Sequence, residues 1–312
     1  MKKQWPRSAA TRVFWTAVCS ILSVSLSACD GSNGPDDPDG AGGPDGSSSG
    51  AIFAWGDSWT SGVGAIDGES FPDQLQSLTG RTVYNGGVSG QTSDQIAARQ
   101  GGAPALLTLP GNMIPGSGPV TIQNQSTFPV SAEGPGPITG TLGGVHGMLS
   151  FNGNLVFERD DSGAPVAVPA QSPFDPDTYG SQSEINVFWL GGNNFYDPAA
   201  VKSDIAKSVA FLFSNKYIVL GLLNAGSEPI GSDSYALITQ LNADLAGGYP
   251  NNFINIRKIL VDSYDSSQPQ DVIDHRNDVT PSSLRNDDVH LNEAGYAIIA
   301  QQVAAFIRSE GW

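Results

Sequence analysis

Ser58, Asp287 and His290 are the residues whose types and placing point to chemistry. Ser58 ends the run Ala51-Ile52-Phe53-Ala54-Trp55-Gly56-Asp57-Ser58, in which a short apolar strand passes straight into Gly-Asp-Ser. Such a strand delivers its serine to the carboxyl end of a sheet, where open α/β sheets bind ligands. Alone, the tripeptide is also ordinary turn chemistry. Near the other terminus lies Asp287-Asp288-Val289-His290, a histidine with an acid three residues before it, just ahead of the last helical pattern. Acyl transfer needs a nucleophile, a base to take its proton and a group to orient that base. The three residues supply these roles in turn: Ser58 attacks, His290 is the base and Asp287 orients it. His275, after Asp274, competes as base, but His290 is preferred because it precedes a capped helix at the expected sheet edge. His275 then reads as a solvated loop residue and His146 as a turn residue. The three histidines show no short ligand spacing, so no metal is expected, and nothing implies a cofactor.

Positioning these residues requires a scaffold, and apolar runs alternate with helical patterns at both ends of the chain. Ala51–Trp55, Asn186–Leu190, Tyr217–Leu223 and Ile254–Val261 read as strands, continuous enough to be covered on both faces. Pro72–Leu78, Pro198–Phe213, Tyr235–Leu245 and Asn292–Ile307 read as helices. In the last, Asn292 is the N-cap and Tyr296, Ile299, Val303 and Phe306 form one stripe. The alternation predicts a parallel sheet between helical layers. Residues 101–184 break it with Gly, Pro, Thr and Ser and short alternating runs such as Val120-Thr121-Ile122 and Leu155-Val156-Phe157. Asn152-Gly153 resembles a hairpin turn. This segment reads as a β-rich insertion, since a structureless loop of that length is unusual.

Residues 1–28 read as an export signal. Lys2, Lys3, Arg7 and Arg12 form a basic start, and Val13 to Ser27 is an apolar stretch too short for a spanning helix. Leu26-Ser27-Ala28-Cys29 resembles the lipobox of bacterial lipoproteins, which implies cleavage before Cys29 and its acylation. Asp30 resembles an inner-membrane retention signal. The expectation is a lipid-anchored protein of the bacterial cell envelope, on its periplasmic or surface side, with the choice of membrane left open. From Asp30 to Gly50 the chain has seven Gly, three Pro, five Asp and four Ser, with Ala41 its one apolar residue. Such a stretch buries too little to order itself and serves as a linker. The folded domain is then 51–312. Removing the signal takes the formal charge from −16 to −20, which repels phosphate backbones and argues against nucleic-acid partners.

The chain resembles the SGNH (GDSL-type) hydrolase family in four blocks occurring in the family's order. They are Gly56-Asp57-Ser58-Trp59-Thr60, Tyr84-Asn85-Gly86-Gly87-Val88-Ser89-Gly90-Gln91-Thr92-Ser93, Gly191-Gly192-Asn193-Asn194 and Asp287-x-x-His290. The resemblance covers 51–100 and 185–312 but not the insertion. It implies a three-layer α/β/α, flavodoxin-like fold, Ser58 as nucleophile, and an oxyanion hole of Ser58, Gly90 and Asn193. Asn193 also reads as a strand-end turn residue, Gly86-Gly87 as a strand-to-loop turn and Asp57 as local scaffold. Asn194 replaces the family's usual acid, so altered loop hydrogen bonding with retained catalysis is expected.

The leading reading is a carboxylic ester hydrolase working by a Ser58 acyl-enzyme on short-chain or acetyl esters, O-acetylated glycans included. Lipase, lysophospholipase or acyltransferase activity on the same fold is the alternative, and a non-catalytic glycan-binding lipoprotein a further one. Trp55, Trp59, Trp189, Phe195 and Tyr196 near the blocks either stack on sugar rings or belong to the core. The insertion, falling between the oxyanion glycine and asparagine, is expected to set substrate choice.

Overall fold

The computed structural model describes residues 50–312. Cys29, the signal and nearly all of the linker lie outside them. Five parallel strands form the central sheet: β1 (Ile52–Gly56), β2 (Val83–Gly87), β3 (Ile185–Trp189), β4 (Tyr217–Leu220) and β5 (Phe253–Ile254). Their order is β2-β1-β3-β4-β5, the flavodoxin-like winding. Every residue of β3 is buried, which is why Ile185-Asn186-Val187-Phe188-Trp189 carries no polar alternation. Among the described residues eight α-helices accompany the sheet: α1 (Ser58–Ser61), α2 (Phe71–Thr79), α3 (Ser93–Gln100), α4 (Pro198–Ala210), α5 (Asp233–Gly248), α6 (Ile256–Asp262), α7 (Pro269–Arg276) and α8 (Glu293–Ser309). The Asn292 side chain caps α8, accepting from Gly295 N, and α8 buries Tyr296, Ile299, Val303 and Ile307 in the same core as β3.

The expected insertion is a seven-stranded antiparallel sheet between α3 and β3. Its strands, in spatial order, are Pro119–Thr121, Leu155–Arg159, Val145–Phe151, Ile138–Leu142, Ser172–Pro176, Ala105–Thr108 and Asn124–Gln125. The segment around Asn152-Gly153 does turn a hairpin, with Phe151 paired to Leu155. Leu107, Leu142, Leu149, Phe157 and Phe174 give this sheet its own hydrophobic core.

Four expectations need correction. Ile254–Val261 is not one strand: β5 stops at Ile254 and α6 begins at Ile256, because the Asn255 side chain caps the helix by accepting from Lys258 N. Gly86 and Gly87 belong to β2 rather than to a turn. A Cβ on Gly87 would lie 2.1 Å from Ser61 N, so glycine there lets α1 pack against the strand. His275 lies in α7, half-buried, stacked on Tyr264 at 4.1 Å with Nδ1 3.0 Å from Val261 O. His146 is a strand residue, with Asp160 and Asp177 on its ring nitrogens.

Candidate active site

β1 ends at Gly56, Asp57 caps α1, and Ser58 is the first residue of that helix. The Asp57 side chain accepts from Trp59 N at 3.1 Å, so strand and helix meet in a fixed sharp turn. Asp57 is only 1 % exposed. Burial pushes its carboxyl up to about 7, against the N–H groups of Trp59 and Gly192, which hold it down. Trp59 then clamps the two ends of the chain together. Its ring packs on Trp189 at 5.2 Å, and its Nε1 donates to Val289 O at 3.0 Å.

That bond fixes the loop carrying His290. Within the loop, Asp287 Oδ1 accepts from Val289 N and His290 N, each at 2.7 Å, and Oδ2 is 2.8 Å from His290 Nδ1. Burial works against the Asp287 anion, but these donors outweigh it and hold the carboxyl down at about 2. An anion on that side places the ring proton on Nδ1. Nε2 is left as an acceptor, 3.1 Å from Ser58 Oγ. The geometry is that of a hydroxyl poised to lose its proton to an imidazole.

The two central blocks reach the same edge. Gly90 turns the chain after β2 with φ +77°, a conformation that favours glycine. Ser89 Oγ lies 3.2 Å from Ser61 Oγ. The Asn193 side chain is tied across the loops: Nδ2 donates to Gln91 O at 2.9 Å and, at the long distance of 3.4 Å, to Asp57 Oδ2. The Ser58 and Gly90 N–H groups donate to no acceptor among the described residues. Asn194, buried, accepts from Ser93 N at 3.0 Å and donates to Ser93 Oγ at 3.0 Å; Ser93 Oγ donates in turn to Asp204 Oδ2 at 2.6 Å. A buried acid therefore does serve this loop, but from α4 instead of position 194.

Sequence reasoning missed Gln91, Asp204 and the Trp59 clamp, whose partners lie about 100 to 230 residues away in the chain. Of the aromatics near the blocks, Trp59 and Trp189 are core, Trp55 and Phe195 partly buried, and Tyr196 exposed. No group of three potential metal ligands occurs among the described residues.

No family model matches the chain. The tail spike protein of Salmonella phage epsilon15 is 25% identical over an alignment 274 positions long that covers 77% of this chain and 25% of that protein. The chain thus spans about a quarter of the length of the curated relative it matches. Similar solved structures include a lipolytic protein of the G-D-S-L family from Desulfitobacterium hafniense, 14% identical, covering 82% of this chain and 98% of that one, with TM-score 0.44. A lipase/acylhydrolase from Enterococcus faecalis is 12% identical, covering 83% and 96%, with TM-score 0.47. A mutant of an acetyl-xylooligosaccharide esterase from Geobacillus is 12% identical, covering 85% and 95%, with TM-score 0.43. In its parallel sheet of order β2-β1-β3-β4-β5, with four sequence blocks converging at one edge, the chain is similar to the SGNH (GDSL-type) hydrolases.

Proposed function

We propose that this protein is a serine carboxylic ester hydrolase acting on short acyl esters, acetyl groups on glycans foremost. The observation that carries the reading is the hydrogen-bonded line Ser58 Oγ–His290 Nε2–Asp287 at 3.1 and 2.8 Å. In the reaction, His290 Nε2 takes the Ser58 proton as Oγ bonds to the ester carbonyl carbon. The ionised Asp287 steadies the imidazolium so formed. The carbonyl oxygen becomes an oxyanion facing the Ser58 and Gly90 N–H groups. Asn193 Nδ2 adds a third donor through the N–H that makes only the long bond to Asp57. The alcohol departs with the proton from His290. A water, deprotonated by the same nitrogen, then cleaves the acyl-Ser58 ester and regenerates the enzyme.

An export signal and Cys29 acylation belong to the same reading: an anchored envelope protein meets glycans and lipids. Feeding labelled palmitate to cells tests the anchor, with label expected on wild type and absent from Cys29→Ser. For activity, wild type and Ser58→Ala are compared on nitrophenyl acetate, butyrate and octanoate. Turnover fastest on acetate and abolished in the variant is expected. A folded wild type without turnover on any ester would refute the hydrolase reading.

A further inference from the structure

Between Phe53 and Trp55 of β1, Arg99 at the end of α3 and the strands Ile138–Leu142 and Ser172–Pro176 of the inserted sheet lies a cavity of about 250 Å³. Trp55, Arg99, Ile138, Thr139, Asp177 and Tyr179 are among its walls, and none of Ser58, Asp287 and His290 is. Arg99 is the unusual member, because it is only 8 % exposed yet no carboxylate pairs with it among the described residues. Its Nε and Nη2 donate to Gln91 Oε1 at 3.1 and 3.0 Å, and Nη2 also to Gly86 O at 2.7 Å. Nη1 has no acceptor among the described residues. Nη1 is not one of the sealed, unpaired side-chain atoms, so its N–H groups open onto the cavity, where water or a ligand oxygen can take them.

The other walls indicate which ligand that is. The guanidinium lies 5.5 Å from the centre of the Trp55 ring, and the Tyr179 ring is 79 % exposed. Aromatic surface of this kind receives the apolar C–H face of a saturated ring. Asp177, whose oxygens also face His146 Nε2 at 3.1 and 3.4 Å, contributes its remaining lone pairs, and Thr139 Oγ1 and Tyr179 Oη, 2.8 Å apart, form a hydroxyl pair. A free donor, acceptors and hydroxyls around aromatic faces match a pyranose, whose hydroxyls both donate and accept. An acyl chain offers Nη1 no acceptor and the hydroxyl pair no partner.

We propose that this cavity is a saccharide subsite holding one neutral sugar unit of a glycan. The assignment rests on the glycan-ester reading for its use, but binding itself requires no turnover. Gln91 joins the subsite to the chemistry: its side chain takes Arg99, its backbone oxygen holds Asn193 Nδ2, and its Nε2 donates to Pro129 O of the insertion. A sugar seated on Arg99 is thereby one residue removed from the Asn193 amide.

The test uses the Ser58→Ala protein and ester-free xylotetraose, cellotetraose, maltotetraose and chitotetraose, followed by tryptophan fluorescence and saturation-transfer NMR. Saturable millimolar binding of at least one is expected. Adding Tyr179→Ala should weaken it about fivefold to tenfold, the worth of one aromatic contact, and Arg99→Lys should weaken it too. Ser58→Ala/Tyr179→Ala should melt at the temperature of Ser58→Ala, since Tyr179 is exposed, so that lost binding is not lost folding. No binding by any of the four, binding indifferent to Tyr179→Ala, or a preference for oligogalacturonate would overturn the subsite. Because these probes carry no ester and the protein no nucleophile, that failure is distinct from a wild type unable to hydrolyse nitrophenyl acetate.

Discussion

Replacing Asn194 by aspartate, the residue the SGNH resemblance leads one to expect there, should destabilise this protein, and increasingly so as pH rises. The Ser93 hydroxyl has one proton and gives it to Asp204 at 2.6 Å. Its oxygen must then accept from Asn194 Nδ2 at 3.0 Å. An aspartate would keep the acceptor that faces Ser93 N but turn the donor into a second acceptor against the same hydroxyl. Losing one partner in a buried pair costs about 1–3 kcal/mol. Protonating the introduced carboxyl restores a donor, so its pKa is raised in the folded state. A raised folded pKa means that stability is intact at low pH and lost as pH climbs through that value. At pH 8 a cost of about 2 kcal/mol corresponds to a drop of roughly 4–8 °C in Tm for a domain of this size, shrinking towards pH 4. Adding Asp204→Asn returns a donor to the hydroxyl and should recover most of the loss, with a coupling of about 1–3 kcal/mol in the double-mutant cycle. Scanning calorimetry at several pH values reads all of this. A pH-independent loss, an uncoupled double variant, or much faster nitrophenyl acetate turnover in Asn194→Asp would refute the reasoning.

Asp287→Asn should lower kcat by about 10³–10⁴-fold, since the amide no longer secures the Nδ1–H form of His290; a loss below tenfold would argue against the assigned role. Trp59→Phe removes the Nε1 bond to Val289 O and should cost about 1 kcal/mol of stability. Urea unfolding checks this, together with faster amide exchange expected in the His290 loop. Asp57 holds its proton up to about pH 7 in the folded protein and loses it near 3.8 when unfolded. Its contribution is therefore full below the lower value and lost as pH rises through the upper, at most about 4 kcal/mol at about 1.4 kcal/mol per unit. Asp57→Asn should flatten the fall in urea-measured stability across this window, and equal slopes in variant and wild type would count against the buried acid.

What could be read from the sequence is what is local. Asp287 and His290 are three residues apart on one loop, so their hydrogen bond is implied by spacing. The strand into Ser58, the Asn292 cap and the stripe of α8 are equally short-range patterns. Ile254–Val261 misled because an apolar run of that length suits a buried strand and a short helix alike. The decisive signal was the capping power of Asn255. Arg99 and Asp204 were silent because a polar side chain acquires its meaning from partners the linear order does not show. Asp204 looks like any solvent-facing helix acid until Ser93 is found against it.

The placing of the inserted sheet also has a consequence for how the chain reaches its fold. Trp55 Nε1 on β1 bonds Asn186 Oδ1 on β3 across a separation of 131 residues, and these two strands are neighbours in the central sheet. Closing a flexible segment of that length is entropically costly, and such distant pairings slow folding. The insertion has a core of its own, so forming it early would replace most of that flexible chain by a compact body and shorten the search by which β3 finds β1. Destabilising Phe157 or Leu149 should then slow formation of the parallel sheet, although neither residue belongs to it.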